Sequence, residues 1–263
     1  MFLAMPSDHP LTIRRSGPGG VSQMTDRVAV EEPLEIRLDG HPVAVLMRTP
    51  GADLELLTGF LITEGILTST SQLRKTDVRL DESRALAFLH EGVDVDLAKL
   101  TRHLFTSSSC GLCGKATIET IFYDFPPLTH RLIVADSVLL AAPDLLRASQ
   151  SAFETTGGLH AAGLFSASGE LLVLHEDIGR HNAVDKVIGH GLLEQLDFSQ
   201  TFLLVSGRVS FEIMQKALAA RISVIAAISA PSSLAVDFAK KSGQTLIGFL
   251  RPPSYNIYTD IVC

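Results

Sequence analysis

The sequence predicts a three-layer α/β core preceded by a smaller α+β region. Two observations carry that expectation. From about Val138 onward, short apolar runs (TFLLVSG, SVIAAIS, TLIGFLR) alternate with segments whose apolar residues recur at helical spacing. Strands separated by helices pair in parallel and are covered by those helices. Before that point the order is strand, turn, strand, helix, strand, turn, strand. The 263 residues, 46% of them hydrophobic, are enough for one or two buried cores.

The elements follow in order. Residues 1–26 read as a flexible tail, because the first apolar patch is too short for a signal peptide and its basic residues follow it. Residues 27–130 form the expected N-terminal α+β domain. In it, RVAVEEPLEIRLDGHPVAVLMRTP makes two strands around the Asp39-Gly40 turn. GADLELLTGFLITEGIL spaces Leu54, Leu57, Phe60 and Leu61 as a helix does, and DVRLDESRALAFLH repeats strand, turn, strand. Residues 131–263 form the expected core. VLLAAPDLLRASQSAFETTGG reads as one helix ending at Gly157-Gly158. LHAAGLFSASGELLVLHEDIG reads as two strands about Ser168-Gly169, with RHNAVDKVIGHGLLE, RVSFEIMQKALAAR and SSLAVDFAKKSG as later helices.

Composition excludes several function classes. A formal charge of −7 argues against a general grip on nucleic acid, which needs a basic face. No apolar run reaches the roughly 18 residues of a membrane span. Three cysteines cannot form a disulfide framework, so a reducing, cytoplasmic compartment is expected.

In open α/β sheets ligands bind beyond the carboxyl ends of the strands. Four segments fall there: HEDIGRHNAVDK (175–186), SGRVS (206–210), SAPSS (229–233) and RPPSYNIY (251–258). They bring His175, Asp177, Arg180, His181, Asn182, Asp185, Lys186, Arg208, Ser232, Ser233 and Arg251 to one rim. Three of these loops open helices, where free N–H groups favour an anion, and arginine suits phosphate. A phosphate- or nucleotide-bearing ligand is the expectation, although no Walker or GxGxxG loop is present. Simpler readings stand beside it. Ser232 and Ser233 serve equally as helix caps, and Asp185 with Lys186 as a solvated pair. His90, His103, His130 and His190 read as surface or satisfied core residues.

The loop SSSCGLCGK holds Cys110 and Cys113 between serines and glycines that cannot pack a core. Such a pair can share a metal, form a disulfide or pass a sulfur atom. A structural zinc site wants four N/S ligands, and no paired histidines stand nearby; no metal is expected. Lys115 and a helix start would raise the thiolate fraction. A zinc deaminase is excluded. Its H-x-E would require a Glu where Ala162 follows His160, and its P-C-x-x-C would require a Pro where Ser109 stands, with the CxxC after the His rather than before it.

Taken together, MRTPGADLELLTGFLITEGIL, SSSCGLCG, TTGGLHAAGLF, HEDIGRHNAVDKVIG, SGRVSFEIMQKA, SAPSSLAVDFAKK and TLIGFLRPPSYNIYT resemble the FdhD-type formate dehydrogenase accessory proteins, from about Arg27 onward. The resemblance implies a cytidine-deaminase-like core and a homodimer. It implies a sulfur carrier that takes persulfide sulfur from a cysteine desulfurase. The sulfur would go to the bis-molybdopterin guanine dinucleotide (bis-MGD) cofactor of molybdenum before insertion into the formate dehydrogenase catalytic subunit. It maps the persulfide carrier onto Cys110 and its partner onto Cys113. It maps the guanine dinucleotide, or GDP as its mimic, onto Phe249, Leu250, Arg251, Pro252, Pro253 and Ser254, with Arg180, His181, Arg208 and Ser232 as further contacts. Two other readings remain: a cofactor-binding chaperone without sulfur chemistry, and a dithiol redox or zinc-binding module.

Overall fold

The structure is a computed structural model that describes residues 6–95 and 125–259. Cys110, Cys113, Cys263, His103 and Lys115 lie outside the described residues. The chain folds into three sheets with strand orders β1-β2, β4-β3-β6-β5 and β12-β11-β10-β9-β7-β8.

The large sheet positions the rim. It is built from β7 (His160–Ser166), β8 (Leu171–Asp177), β9 (Thr201–Val205), β10 (Val224–Ala227), β11 (Thr245–Arg251) and β12 (Ser254–Thr259). β9, β10 and β11 pair in parallel, as alternation with helices requires, while β7, β8 and β12 run antiparallel to their neighbours. Their apolar runs are continuous because both faces are covered. On β9, Leu203 and Val205 pack under α4 (Arg180–Leu193), α5 (Phe211–Ala219) and α6 (Ser233–Ser242). Phe202 and Leu204 point the other way, under α2 (Asp136–Ala148).

The smaller sheet contains β3 (Glu32–Leu38), β4 (His41–Arg48), β5 (Leu73–Arg79) and β6 (Arg84–Leu89), with α1 (Asp53–Thr63) on it. The Asp39-Gly40 turn joins β3 to β4, with both residues at positive φ. α1 also lies against α4, and glycines permit the contact. A Cβ at Gly59 would fall 1.9 Å from the Asp185 carbonyl oxygen, and one at Gly189 1.8 Å from that of Glu55. No side chain fits between these backbones, so the two helices touch along a glycine seam.

Three expectations are corrected. The segment read as a tail contains a hairpin, β1 (Asp8–Gly17) with β2 (Gly20–Ala29), closed at Gly17↔Gly20. Both its faces are largely exposed, so burial imposed no apolar alternation to read. The single helix expected before Gly157 is two, α2 and α3 (Ser151–Thr156). The Glu176 carboxylate accepts hydrogen bonds from the Ala152 and Phe153 amides at 2.9 and 2.7 Å, which starts α3 afresh. RPPSYNIY is a tight turn plus an edge strand, with Arg251 paired to Ser254 across Pro252-Pro253. Among the described residues, no helix is long and apolar enough to cross a membrane.

Gly59→Ala should lower stability by about 1–3 kcal/mol, the usual cost of overpacking a close contact. Urea unfolding followed by circular dichroism measures this. An unchanged midpoint would show that the seam can open at no cost.

Candidate functional site

The turn from β8 into α4 is organised by Asp177, which is fully buried. Its Oδ1 accepts hydrogen bonds from the Gly179 amide (2.8 Å) and Asn182 Nδ2 (3.0 Å). Its Oδ2 accepts from the Thr49 amide (3.1 Å) and pairs with Lys186 Nζ at 2.7 Å. Lys186 also donates to the Thr49 carbonyl at 2.7 Å, and Asn182 to that of Met47 at 2.8 Å. The motif DIGRHNAVDK therefore clamps the end of β4 onto the large sheet. A second buried node lies one helical turn on. Asp185 accepts from Thr63 Oγ1 (2.7 Å) and pairs with Lys216 (2.9 Å), which also meets Glu64 at 2.6 Å. Burial pushes the Asp185 carboxyl up to about 6, opposed by Lys216 beside it. The solvated Asp185–Lys186 pair expected from sequence is thus corrected: both side chains are buried, each with a different partner.

This frame holds Arg180 and His181 at the opening of α4, beside a cleft of about 540 Å³. Arg147, Gln150, Phe153, His160, Ser206 and Ile228 line it. Arg147 lies over the Phe153 ring at 4.5 Å. Arg180 and Arg208 stand close enough to His160 to depress its pKa, after burial as the larger cause and against Asp177. The Arg180 Nε is buried with no hydrogen-bond partner among the described residues. A buried cationic donor without a partner is costly. Arg251 reaches the same edge, donating from Nε to the Ile228 carbonyl at 3.0 Å.

The other predicted residues divide. Arg180 and His181 open α4 after β8, Arg208 follows β9, and Arg251 ends β11, so all four lie at this end of the large sheet. Phe249 is exposed at φ 51, where β11 and β12 slip register, and such a bulge turns a side chain outward. Pro252, Pro253 and Ser254 are exposed at the turn. Leu250 is fully buried in the core, so its side chain is not available to a ligand. Ser232 caps α6, its Oγ accepting from the Ala235 amide at 3.2 Å. Asn182 and Lys186 serve the buried clamp. His175 lies on the face of β8 that α4 covers, by alternation with Val173 and Asp177. Arg147, Gln150, Phe153 and His160 are cleft residues missed in the sequence. Glu176, 23 residues from Phe153, accepts from the amides that open α3 beside this rim.

Fold and rim together define a mixed α/β protein with a cationic cleft at the ends of its parallel strands. The chain belongs to the FdhD/NarQ family, whose profile matches residues 29–261. A protein of Streptomyces avermitilis named sulfur carrier protein FdhD is 47% identical over 256 residues, covering 91% of this chain and 89% of its own length. Proteins of the same name from Mycobacterium tuberculosis (46%, covering 94% of this chain and 95% of their own length) and Sulfurisphaera tokodaii (44%, 89% and 90%) are also similar. A crystal structure from Desulfotalea psychrophila, described as a formate dehydrogenase accessory protein, superposes with a TM-score of 0.80 at 25% identity. It covers 97% of this chain and 98% of its own.

Asp177→Ala should cost about 3–5 kcal/mol, because Lys186 is left buried without its counter-charge. Urea denaturation measures it, and a loss under 1 kcal/mol would mean that water replaces the carboxylate. His181 gives a pH prediction. Burial, then Lys216 and Arg180, push its pKa down to about 4, against Glu212 and Glu64. Its Nε2 lies 3.3 Å from Ser210 Oγ and 4.0 Å from Glu212. An unfolded histidine titrates near 6.5. The folded form therefore binds fewer protons between these values, and stability is complete above about 6.5 and falls as pH drops towards 4. Wild type should lose more stability than His181→Gln between pH 7 and pH 5. Equal losses would show that His181 is not the titrating group.

Proposed function

We propose that this protein is a sulfur carrier for a formate dehydrogenase, and that its rim binds the guanine dinucleotide of the molybdenum cofactor. Family membership and the names of the relatives support the carrier role. The observation that carries the ligand assignment is the gathering of Arg180 and Arg208 around His160 at the cleft, with Arg251 bonded to Ile228 on its lining. Those groups fit a diphosphate, and exposed Phe249 offers a face for a purine base.

Cys110 is the acceptor thiol and Cys113 its partner. In the loading step the Cys110 thiolate attacks the outer sulfur of a persulfide on a cysteine desulfurase. One S–S bond forms at Cys110, the donor's S–S bond breaks, and the donor cysteine leaves as a thiolate. No external oxidant is needed. The protein's partners are then the desulfurase and the formate dehydrogenase catalytic subunit, and it works as a homodimer in the cytoplasm.

Intact-protein mass spectrometry after incubation with a desulfurase and cysteine tests the carrier role. Wild type should gain the mass of sulfur, and Cys110→Ala should not. An active desulfurase that leaves no adduct on wild type would favour a chaperone that only holds the cofactor. Calorimetric titration with GDP tests the rim. Arg180→Ala should weaken binding about 10- to 100-fold, the value of one or two charge-assisted hydrogen bonds. Unchanged affinity would remove Arg180 from the site.

A further inference from the structure

Away from the cleft, Glu55 on α1, His175 on β8 and His190 on α4 converge. One ligand atom from each lies within 4.8 Å of the others. The convergence follows from the frame. On β8, His175 sits two residues before Asp177 and on the same face. On α4, His190 sits one turn beyond Lys186, the partner of Asp177. The two histidines therefore meet where the row of strand side chains passes the row of helix side chains. Their ring centroids are 5.9 Å apart at 64°. The glycine seam sets the third member, since Gly189 abuts the Glu55 carbonyl directly.

The surrounding polar residues are all engaged. Asp177, Asn182, Asp185, Lys186, Thr49 and Lys216 each make buried hydrogen bonds or ion pairs. The side chains of Glu55, His175 and His190 make none with described residues, and His175 Nε2 is buried without a partner. Leaving such an atom unsatisfied costs about 1–3 kcal/mol, which calls for an explanation.

We propose that Glu55, His175 and His190 form a binding site for a divalent transition-metal ion, with zinc the best chemical match, at the junction of α1, β8 and α4. Two imidazoles and a carboxylate suit zinc and its neighbours, whereas calcium and magnesium want oxygen ligands. Bond lengths of about 2.0–2.2 Å put ligand atoms roughly 3.3 Å apart around tetrahedral zinc, so atoms within 4.8 Å of one another close in by up to about 1.5 Å. Half-buried positions leave room for that rotation and for a water as fourth ligand. Burial, then Lys186 and His190, hold the His175 pKa near 4, so its ring keeps a free lone pair at neutral pH. The ion fastens α1 to the large sheet at a place where the described side chains of Glu55, His175 and His190 supply no hydrogen bond or ion pair of their own.

The test uses the full chain with Cys110, Cys113 and Cys263 changed to Ser, so that thiols take no metal. After treatment with EDTA, the protein is dialysed against zinc and bound metal is measured. One zinc per chain is expected, with affinity at least 10-fold weaker in Glu55→Gln and His190→Gln. Both positions are partly exposed, so both variants should fold, and circular dichroism in EDTA checks that. Cobalt gives a second readout: a visible d–d band in the cysteine-free protein that His175→Gln abolishes. No bound zinc in the cysteine-free parent would overturn the site. So would one equivalent retained by both the Glu55 and His190 variants.

Discussion

The carboxylate of Asp177 is the interaction on which the arrangement depends. A buried charge is tolerated only when it is paired and fully hydrogen-bonded. Asp177 meets that condition with four donors from three places: the Thr49 amide, the Gly179 amide, Asn182 and Lys186. Thr49 follows β4, whereas the other donors belong to the turn and helix after β8. The small sheet is thus docked through polar contacts at its strand end, besides the glycine seam between α1 and α4. The same contacts leave little freedom to the turn between Asp177 and Asn182. Arg180 and His181 occupy that turn, so the residues offered to a ligand are held by residues that never reach one.

A run such as DIGRHNAVDK therefore has two jobs interleaved at single-residue resolution. Asp177, Asn182, Asp185 and Lys186 face inward, with relative exposures of 0, 9, 1 and 1%. Arg180 and His181 face the rim. Residue type does not separate these roles, because each set mixes charged and polar side chains. Helical periodicity does so in part, since Asn182, Asp185, Lys186 and Gly189 share one side of α4 at spacings of three and four. That side meets α1, α5, β4 and the residue after β4, which bring Thr63, Lys216, Met47 and Thr49 as partners.

The legible parts of the fold were those governed by local rules. Apolar runs marked β9, β10 and β11, and the Asp39-Gly40 and Ser168-Gly169 turns marked two hairpins. The rim loops followed from the rule that ligands gather at strand ends. The illegible parts depended on partners far away in sequence. Nothing near Lys186 announces Thr49, 137 residues away, and nothing near Lys216 announces Thr63, 153 residues away. The break between α2 and α3 needed Glu176, and the burial of Leu250 needed the cluster that α2 builds with Phe202 and Ile247. The β1–β2 hairpin was invisible for the opposite reason: with both faces exposed, it carries no burial pattern.

Electrostatics narrows what the rim can select. The chain carries a formal −7, so a long polyanion would be repelled over most of its surface. Arg147, Arg180, Arg208 and Arg251 nevertheless gather at one edge of the large sheet, where three helices also begin. The helix N-termini add partial positive charge there, and the cleft wall limits screening by solvent. Such an arrangement attracts a compact anion at short range while the net charge opposes extended ones. Phe153 and Phe249 give the same edge aromatic surface, which inorganic phosphate cannot use. A ligand with both a diphosphate and a flat base would engage both features, which is what favours the proposed nucleotide-bearing cofactor over a simple anion or a nucleic acid strand.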